Sequence, residues 1–359
     1  GAGIEVVRGL GHITGERVVR VGDRTLTARH AVVVATGSVA VIPEPLQALL
    51  PWTSRDATGV REVPGSIAII GGGVVACEAA RWLAALGSRV TMLVRRGLLS
   101  GLEPFAGELV GESLAASGVD VRVGTTVDSG ERDAASDTGL GRIHGGRVTL
   151  TTTGPDGPGE LQVDEVLVAT GRRPNIEEVG VAAFGDARPA WLHVVGDASG
   201  EAPLTHWGKY RARLIGERIK AEATGSAEPA WVADAASGLA APVPQVVFTD
   251  PQVASVGPTA DQAGRGGRRV RTLDVDLSST AGAGMLRDTL VGRARLVVDD
   301  NDVLLGATFV GPDVAELLHS ATVAVTGRLT LAQLWHAVPS YPTLSEVWLR
   351  LLDSDRMTA

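Results

Sequence analysis

Apolar residues along the chain gather into short runs separated by glycine, proline and charge, with three of the runs standing out. "HAVVVATGS" (30–38), "SIAII" (66–70) and "DEVLVATG" (164–171) read as buried strands. The first and third share the ending "VATG", a duplication that hints at two similar nucleotide domains. Between Gly65 and Pro174 the order is strand, Gly-rich turn, helix, strand, helix, strand, which is a βαβ unit. Within it, residues 129–160 are polar and rich in glycine and predict hairpins at a surface. Upstream come short alternating strands and the Pro-rich connector "VIPEPLQALLPW". Downstream, "WLHVVGDASGEAPLTHWGKYRARLIGERI" predicts a strand, a Gly-Asp turn and an amphipathic helix, followed by a Gly/Ala-rich linker (223–242). The last part alternates strands with apolar helices. The expected division is therefore 1–64, 65–174, 175–240 and 241–359, with an α+β fold in the last segment.

At 359 residues the chain suits two or three domains. A content of 44% hydrophobic and 21% charged residues is that of a globular protein. The formal net charge of -8 argues against general nucleic-acid binding. No apolar run approaches the roughly 20 residues needed to span a bilayer, and no leader pattern stands at the start, so no membrane role and a cytoplasmic location are expected. The single cysteine, Cys77, excludes a disulfide framework or Cys-rich metal site within the chain, and no metal is expected. The first residue is glycine, and the opening strands lack an evident partner. A preceding segment is expected; a processed or tagged start is the alternative.

Gly71, Gly73 and Ala76 form G-x-G-x-x-A between strand and helix. The first glycine permits the tight turn, the second lets backbone approach a pyrophosphate, and the small third residue lets helix pack on strand. The helix start adds amide donors and a positive dipole end. At the end of the next strand, where an NAD site places a carboxylate on the ribose 2′-hydroxyl, the chain has Val94, then Arg95 and Arg96. Two guanidiniums without that carboxylate favour a 2′-phosphate, hence NADP(H). The alternative is a pair of solvated strand-end arginines.

Six ordered motifs, "VVVATGS", "GGGVVACEAA", "DEVLVATGRRPN", "VVGDASGEAPLTH", "VFTDPQVASVG" and "YPTLSEVW", make the chain resemble the FAD-dependent pyridine nucleotide-disulfide oxidoreductases, including dihydrolipoamide dehydrogenase, mercuric reductase, glutathione reductase and soluble transhydrogenase. The resemblance implies an α/β fold: two Rossmann-like domains for FAD and NAD(P), the first incomplete, plus a C-terminal α+β dimerisation domain. It implies that Asp197 binds the flavin ribityl chain, that the backbone of Leu204, Thr205 and His206 meets the isoalloxazine, and that Gly37 lies by FAD. Gly171 would close the matching strand of the NADP unit, and Glu78 is similar to the family glutamate near the flavin–nicotinamide contact. The alternatives are a helix cap for Asp197 and a surface helix charge for Glu78.

Departures from the family pattern bear on the acceptor. The FAD-binding G-x-G-x-x-G and the CxxxxC pair are not in this sequence, and about 100 residues would be needed to supply them. The stretch 176–191 is shorter than usual, and Cys77, in the nucleotide helix, is expected to be packed. Dithiol-specific members carry a His where this chain has Tyr341, with Glu346 kept. A phenol with an ordinary pKa near ~10 is a poor base for a thiol. His336 is expected to be structural. The expected catalytic residues are Tyr341, Glu346 and Glu78, the first two facing the flavin of a partner subunit in a homodimer. The expected function is hydride transfer from NADPH through FAD to a disulfide or related small acceptor. A transhydrogenase or quinone reductase is the alternative, and so is a catalytically incomplete NADP-binding dimer.

Overall fold

The computed structural model describes residues 3–185, 188–236 and 242–358. It divides into two compact units, Gly1–Val39 with Arg172–Ala241, and Ala40–Gly171 with Pro242–Ala359.

The larger unit is built on a parallel sheet in the order Glu165–Val168, Ser66–Ile70, Arg89–Val94, Asp120–Val123. Every residue of Ser66–Ile70 is buried, as a central strand covered on both faces must be. The helix Val74–Ala85 packs Ala76, Cys77, Ala79, Ala80 and Leu83 inward, a spacing of three and four residues that keeps one face on the sheet. A second helix, Pro104–Ala116, starts with proline in its first turn, where the missing N–H costs nothing, and buries Phe105, Ala106, Val110 and Leu114.

The polar, Gly-rich stretch does form a hairpin, Val148–Gly154 with Gly157–Val163, and Thr126–Arg132 completes a three-stranded antiparallel sheet. It is not wholly a surface element. Val148 and Leu150 are fully buried against Leu46 and Leu49 of the 3₁₀ turn Glu44–Leu49, so the Pro-rich connector contributes core. Trp52 is also fully buried, and its indole N–H donates to the Arg142 carbonyl at 2.7 Å.

Five antiparallel strands form the C-terminal sheet, in the order Gln245–Val247, Gln252–Val256, Leu304–Gly311, Arg293–Asp299, Val270–Asp276. Helices Leu318–Thr326 and Val347–Thr358 are joined to it by a core that includes Phe309 and Trp348, whose rings lie 5.8 Å apart. Val247, Val253 and Val310 belong instead to the core of the helix Val74–Ala85, so the two sheets share apolar packing. Glu103, 1% exposed, accepts from the Ala260 amide at 2.8 Å and from Arg295 at 2.7 Å, and Arg295 also reaches Asp274.

The smaller unit holds an antiparallel meander, Gly11–Gly15, Val18–Val21 and Arg24–Thr27, and a parallel pair, Val32–Val34 with Leu192–Val194. Its core gathers Ile13, Val34, Val179, Val181, Leu192, Val194 and Ala198. The short stretch 176–191 contains two 3₁₀ turns, Glu177–Val179 and Val181–Phe184, and lays Phe184 edge-on to Trp191. The predicted amphipathic helix runs from Thr205 to Thr224. The linker beyond it contains a further helix, Ala230–Ala236, and residues 237–241 of it lie outside the described residues.

Candidate nucleotide and electron-transfer sites

Gly71 lies at φ +130°, and a Cβ there would collide with the Ala169 carbonyl, so only glycine fits the crossing between strand and turn. Gly73 is different. Its backbone is extended, a Cβ would meet nothing within 4 Å, and it starts the helix Val74–Ala85 with no side-chain cap. First-turn amides of a helix have no intrahelical partner, so this end faces open space with donors and a positive dipole, which fits a phosphate. Ala76 is fully buried, the close packing expected of the third motif position.

Arg95 and Arg96 follow the strand Arg89–Val94 and are exposed. Among the described residues neither side chain has an ion pair or hydrogen bond. The turn after them is fastened to the cradle, because the Leu99 amide donates to the Gly72 carbonyl at 2.7 Å. Cys77 is buried with its Sγ 3.6 Å from the same carbonyl. Burial, and then the charge of Glu78, push its thiol up to about 12, so it is a packed residue with no thiolate at neutral pH.

Glu78 is half-buried. Burial raises its carboxyl above the ordinary range, opposed by a 2.8 Å hydrogen bond that Oε1 accepts from the Phe248 amide. It is therefore more than a solvated helix charge. Gly171, at φ +133°, follows the strand Glu165–Val168 on the other side of the central strand.

In the smaller unit, Gly37 takes φ +76° with open space where a Cβ would be. Asp197 lies in the 3₁₀ turn Gly196–Ser199 and is not a cap of the long helix. Its Oδ2 accepts from Ser38 Oγ at 2.6 Å, and Ser38 in turn accepts from Arg172 through both Oγ and its carbonyl, each at 2.7 Å. Leu204, Thr205 and His206 form the start of the helix Thr205–Thr224, which again has no side-chain cap. Gly208 lets this helix approach the turn, since a Cβ would lie 3.1 Å from Gly196 Cα. An oriented carboxylate beside an uncapped helix start suits a ligand with hydroxyls and a polar ring edge, and so fits the flavin expected here.

At the C-terminus, Tyr341 is 78% exposed, with a cis bond to Pro342. Glu346 is 8% exposed, and its Oε2 has no hydrogen-bond partner among the described residues. The fold does not hydrogen-bond the two to each other. His336 is exposed and follows the short helix Leu331–Leu334. Among the described residues no group of three or more His, Cys, Asp or Glu side chains could hold a metal ion, and no helix is long and apolar enough to cross a membrane.

Sequence reasoning passed over Ser38, Arg172 and Phe248. The first two had a signal, because each stands just after one copy of the repeated "VATG". Phe248 stands in the motif "VFTDPQVASVG", but nothing local tied it to Glu78, 170 residues away.

A four-stranded parallel sheet that shares a core with an antiparallel sheet, and a second unit with a parallel pair followed by an Asp turn, make this a mixed α/β protein. The family model for pyridine nucleotide-disulphide oxidoreductases matches residues 1–189, and that family's dimerisation domain matches residues 243–351. The chain belongs to this family. It is 34% identical over 349 residues to a mercuric reductase of Shigella flexneri, covering 92% of this chain and 56% of that protein. It is 32% identical over 372 residues to a glutathione reductase of Burkholderia cepacia, covering 98% and 76%. The chain thus spans between about half and three quarters of these relatives. Among solved structures, the HOCl-induced flavoprotein disulfide reductase RclA from Escherichia coli superposes with a TM-score of 0.77 at 22% identity, over 97% of this chain and 79% of that one. LpdA from Mycobacterium tuberculosis gives 0.75 at 22%, over 99% and 78%. These two support the fold. The family as a whole uses FAD and a pyridine nucleotide.

Proposed function

We propose that this chain carries the NADP(H)-binding and dimer-forming parts of a flavin-dependent oxidoreductase that moves hydride from NADPH through FAD to a disulfide or a related small acceptor. The observation that carries the reading is the pair Arg95 and Arg96, exposed and without partners among the described residues, at the strand end where an NAD site keeps an acid. Their planar donors would hold a 2′-phosphate, and Gly73 would admit the pyrophosphate to the helix amides. Gly71 and Ala76 keep that turn tight, and Gly171 closes the adjoining strand. Asp197, oriented by Ser38, would accept from the flavin ribityl hydroxyls, with Gly37 alongside and the backbone of Leu204, Thr205 and His206 at the ring edge. A bound flavin would supply the two-electron chemistry that no side chain here can perform.

A specific observation favours a second reading for the acceptor. The residue in the thiol-base position, Tyr341, is a phenol open to solvent. A phenol is a poor base for a thiol, which favours a transhydrogenase or quinone reductase. Tyr341 and Glu346 would then border the acceptor as positioning groups across a homodimer. A dimer that binds NADP without completing the chemistry is the third reading.

Calorimetric titration with 2′,5′-ADP and 5′-AMP tests the nucleotide assignment. The adenosine 2′-phosphate should tighten binding at least about 10-fold, and R95S/R96S should abolish that advantage, since hydrogen bonds to charged groups each contribute about 1.5–3 kcal/mol. Equal affinity for the two ligands would overturn the NADP preference. The visible spectrum on anaerobic NADPH addition sorts the chemistry. Flavin bleaching with a charge-transfer shoulder supports a thiolate pair, bleaching without it supports the second reading, and a colourless protein leaves the third.

A further inference from the structure

The turn that follows Arg95 and Arg96, residues 97–103, is gripped from outside itself on two sides. On one side the Leu99 amide donates to the Gly72 carbonyl at 2.7 Å. On the other, two residues of the short helix Ala260–Arg265 and one of the C-terminal sheet take hold. Gln262 Nε2 donates to the Gly101 carbonyl at 3.1 Å, and Glu103 accepts from the Ala260 amide at 2.8 Å and from Arg295 Nη1 at 2.7 Å. Arg295 is itself fixed by Asp274, 2.9 Å from its Nε, and lies over the Phe105 ring at 5.3 Å. Between the two grips Leu99 holds φ +47°. A residue with a Cβ keeps that conformation only where its surroundings over-determine it.

Glu103 is 1% exposed. A buried ion pair returns little net stability over an apolar pair of the same volume; what it can supply is one fixed register between the segments it joins. Here those segments are the arginine turn and the strand Arg293–Asp299, brought together across 192 residues of sequence. Arg95 and Arg96 are exposed and have no side-chain bond of their own among the described residues. The backbone of the turn is therefore what sets where their guanidiniums can reach, and that backbone is held by the C-terminal sheet.

We propose that Glu103, with Arg295 and Gln262 behind it, is a positioning residue for the 2′-phosphate: through it the C-terminal sheet holds the arginine turn in the geometry that binds that group. The proposal rests on the NADP reading above, and two ligands separate the two failures: 2′,5′-ADP carries the 2′-phosphate and 5′-AMP lacks it. Equal affinity of the parent chain for both would bring down the NADP reading and this proposal together. A parent preference that survives in E103A would overturn this proposal alone.

Calorimetry on the full chain should show E103A reducing the preference for 2′,5′-ADP over 5′-AMP by roughly 3- to 10-fold, the scale on which groups of one hydrogen-bonded network couple, with 5′-AMP affinity unchanged. E103Q should restore the preference, because the Gln carbonyl can still accept from the Ala260 amide and from Arg295. Arg295 keeps Asp274 in both variants, so neither strands its guanidinium without a partner. In an R95S/R96S background E103A should change neither affinity, an outcome that a general loosening of the fold would not produce. Q262A, at an exposed residue, should lower the preference by about 2- to 3-fold, the scale of one neutral hydrogen bond, and gives the same readout if E103A does not fold. An unchanged preference in E103A or Q262A, equal losses for both ligands, E103Q failing like E103A, or a loss in the R95S/R96S background would each overturn the proposal.

Discussion

Two strands with nearly the same ending, Val32–Val34 before "ATGS" and Glu165–Val168 before "ATGRR", have different surroundings. Every residue of Glu165–Val168 is buried, because the strand lies beside Ser66–Ile70 in a four-stranded parallel sheet with helical cover. Val32–Val34 pairs only with Leu192–Val194 among the described residues, and Val33 is 44% exposed. Each strand pairs with one other strand, so the difference in burial comes from what covers their faces, not from the local sequence. A parallel strand needs cover on both faces to repay the entropy of ordering it, and the larger unit provides that cover more fully.

The sharpest way to break this contrast is to remove the polar support of the fuller sheet. Glu165 and Arg132 form an ion pair with both side chains 0% exposed, and Glu165 also accepts from the His144 and Val166 amides at 2.9 Å each. R132A leaves a carboxylate buried without its counter-charge and should cost about 3–5 kcal/mol in urea unfolding. R132M/E165L should recover most of that loss; a double variant as unstable as R132A would show that packing, not charge, dominates there.

A direct test compares the two sheets with apolar truncations. Ile69, 0% exposed, lies in the central strand, so I69A should cost about 2–5 kcal/mol, whereas V33A, at 44% exposure, should cost less than about 1 kcal/mol. Similar losses would mean that Val33 is covered in the protein in solution.

Titration gives the smallest effects. His193, on the strand beside Val32–Val34, is shifted below its ordinary 6.5, first by burial and then by Arg218, with Glu222 opposing. A histidine whose folded pKa is depressed favours the unfolded chain as pH falls through 6.5, so stability should decline from there toward the lower folded value and level off below it. H193N should flatten that slope in urea midpoints measured between pH 5 and 7. In the fuller unit, Cys77 should resist a thiol reagent at pH 8 until denaturant opens the fold; rapid native labelling would contradict its burial.

Much of the candidate nucleotide site was legible in the sequence because the rules that build it act over a few residues. Gly71 must accept a positive φ where the chain crosses Ala169, Gly73 must leave room above a helix start, and Ala76 must be small. The Val94–Arg95–Arg96 order likewise marks the strand end by position alone. Composition misled in one place: glycine and polar residues in 129–160 concealed the alternating Val148 and Leu150, which complete a core with Leu46 and Leu49. Alternation over so few positions does not announce which face finds a partner.

Strand, turn and helix identity, the tight turn at Gly71–Gly73 and the Val94–Arg95–Arg96 order at the strand end were set by local sterics and residue chemistry. Packing of the folded chain decided the rest. The Glu78–Phe248, Glu103–Ala260 and Glu103–Arg295 contacts join residues 170, 157 and 192 positions apart. Their energies depend on burial and exact approach, and those exist only once both sheets have packed on one core.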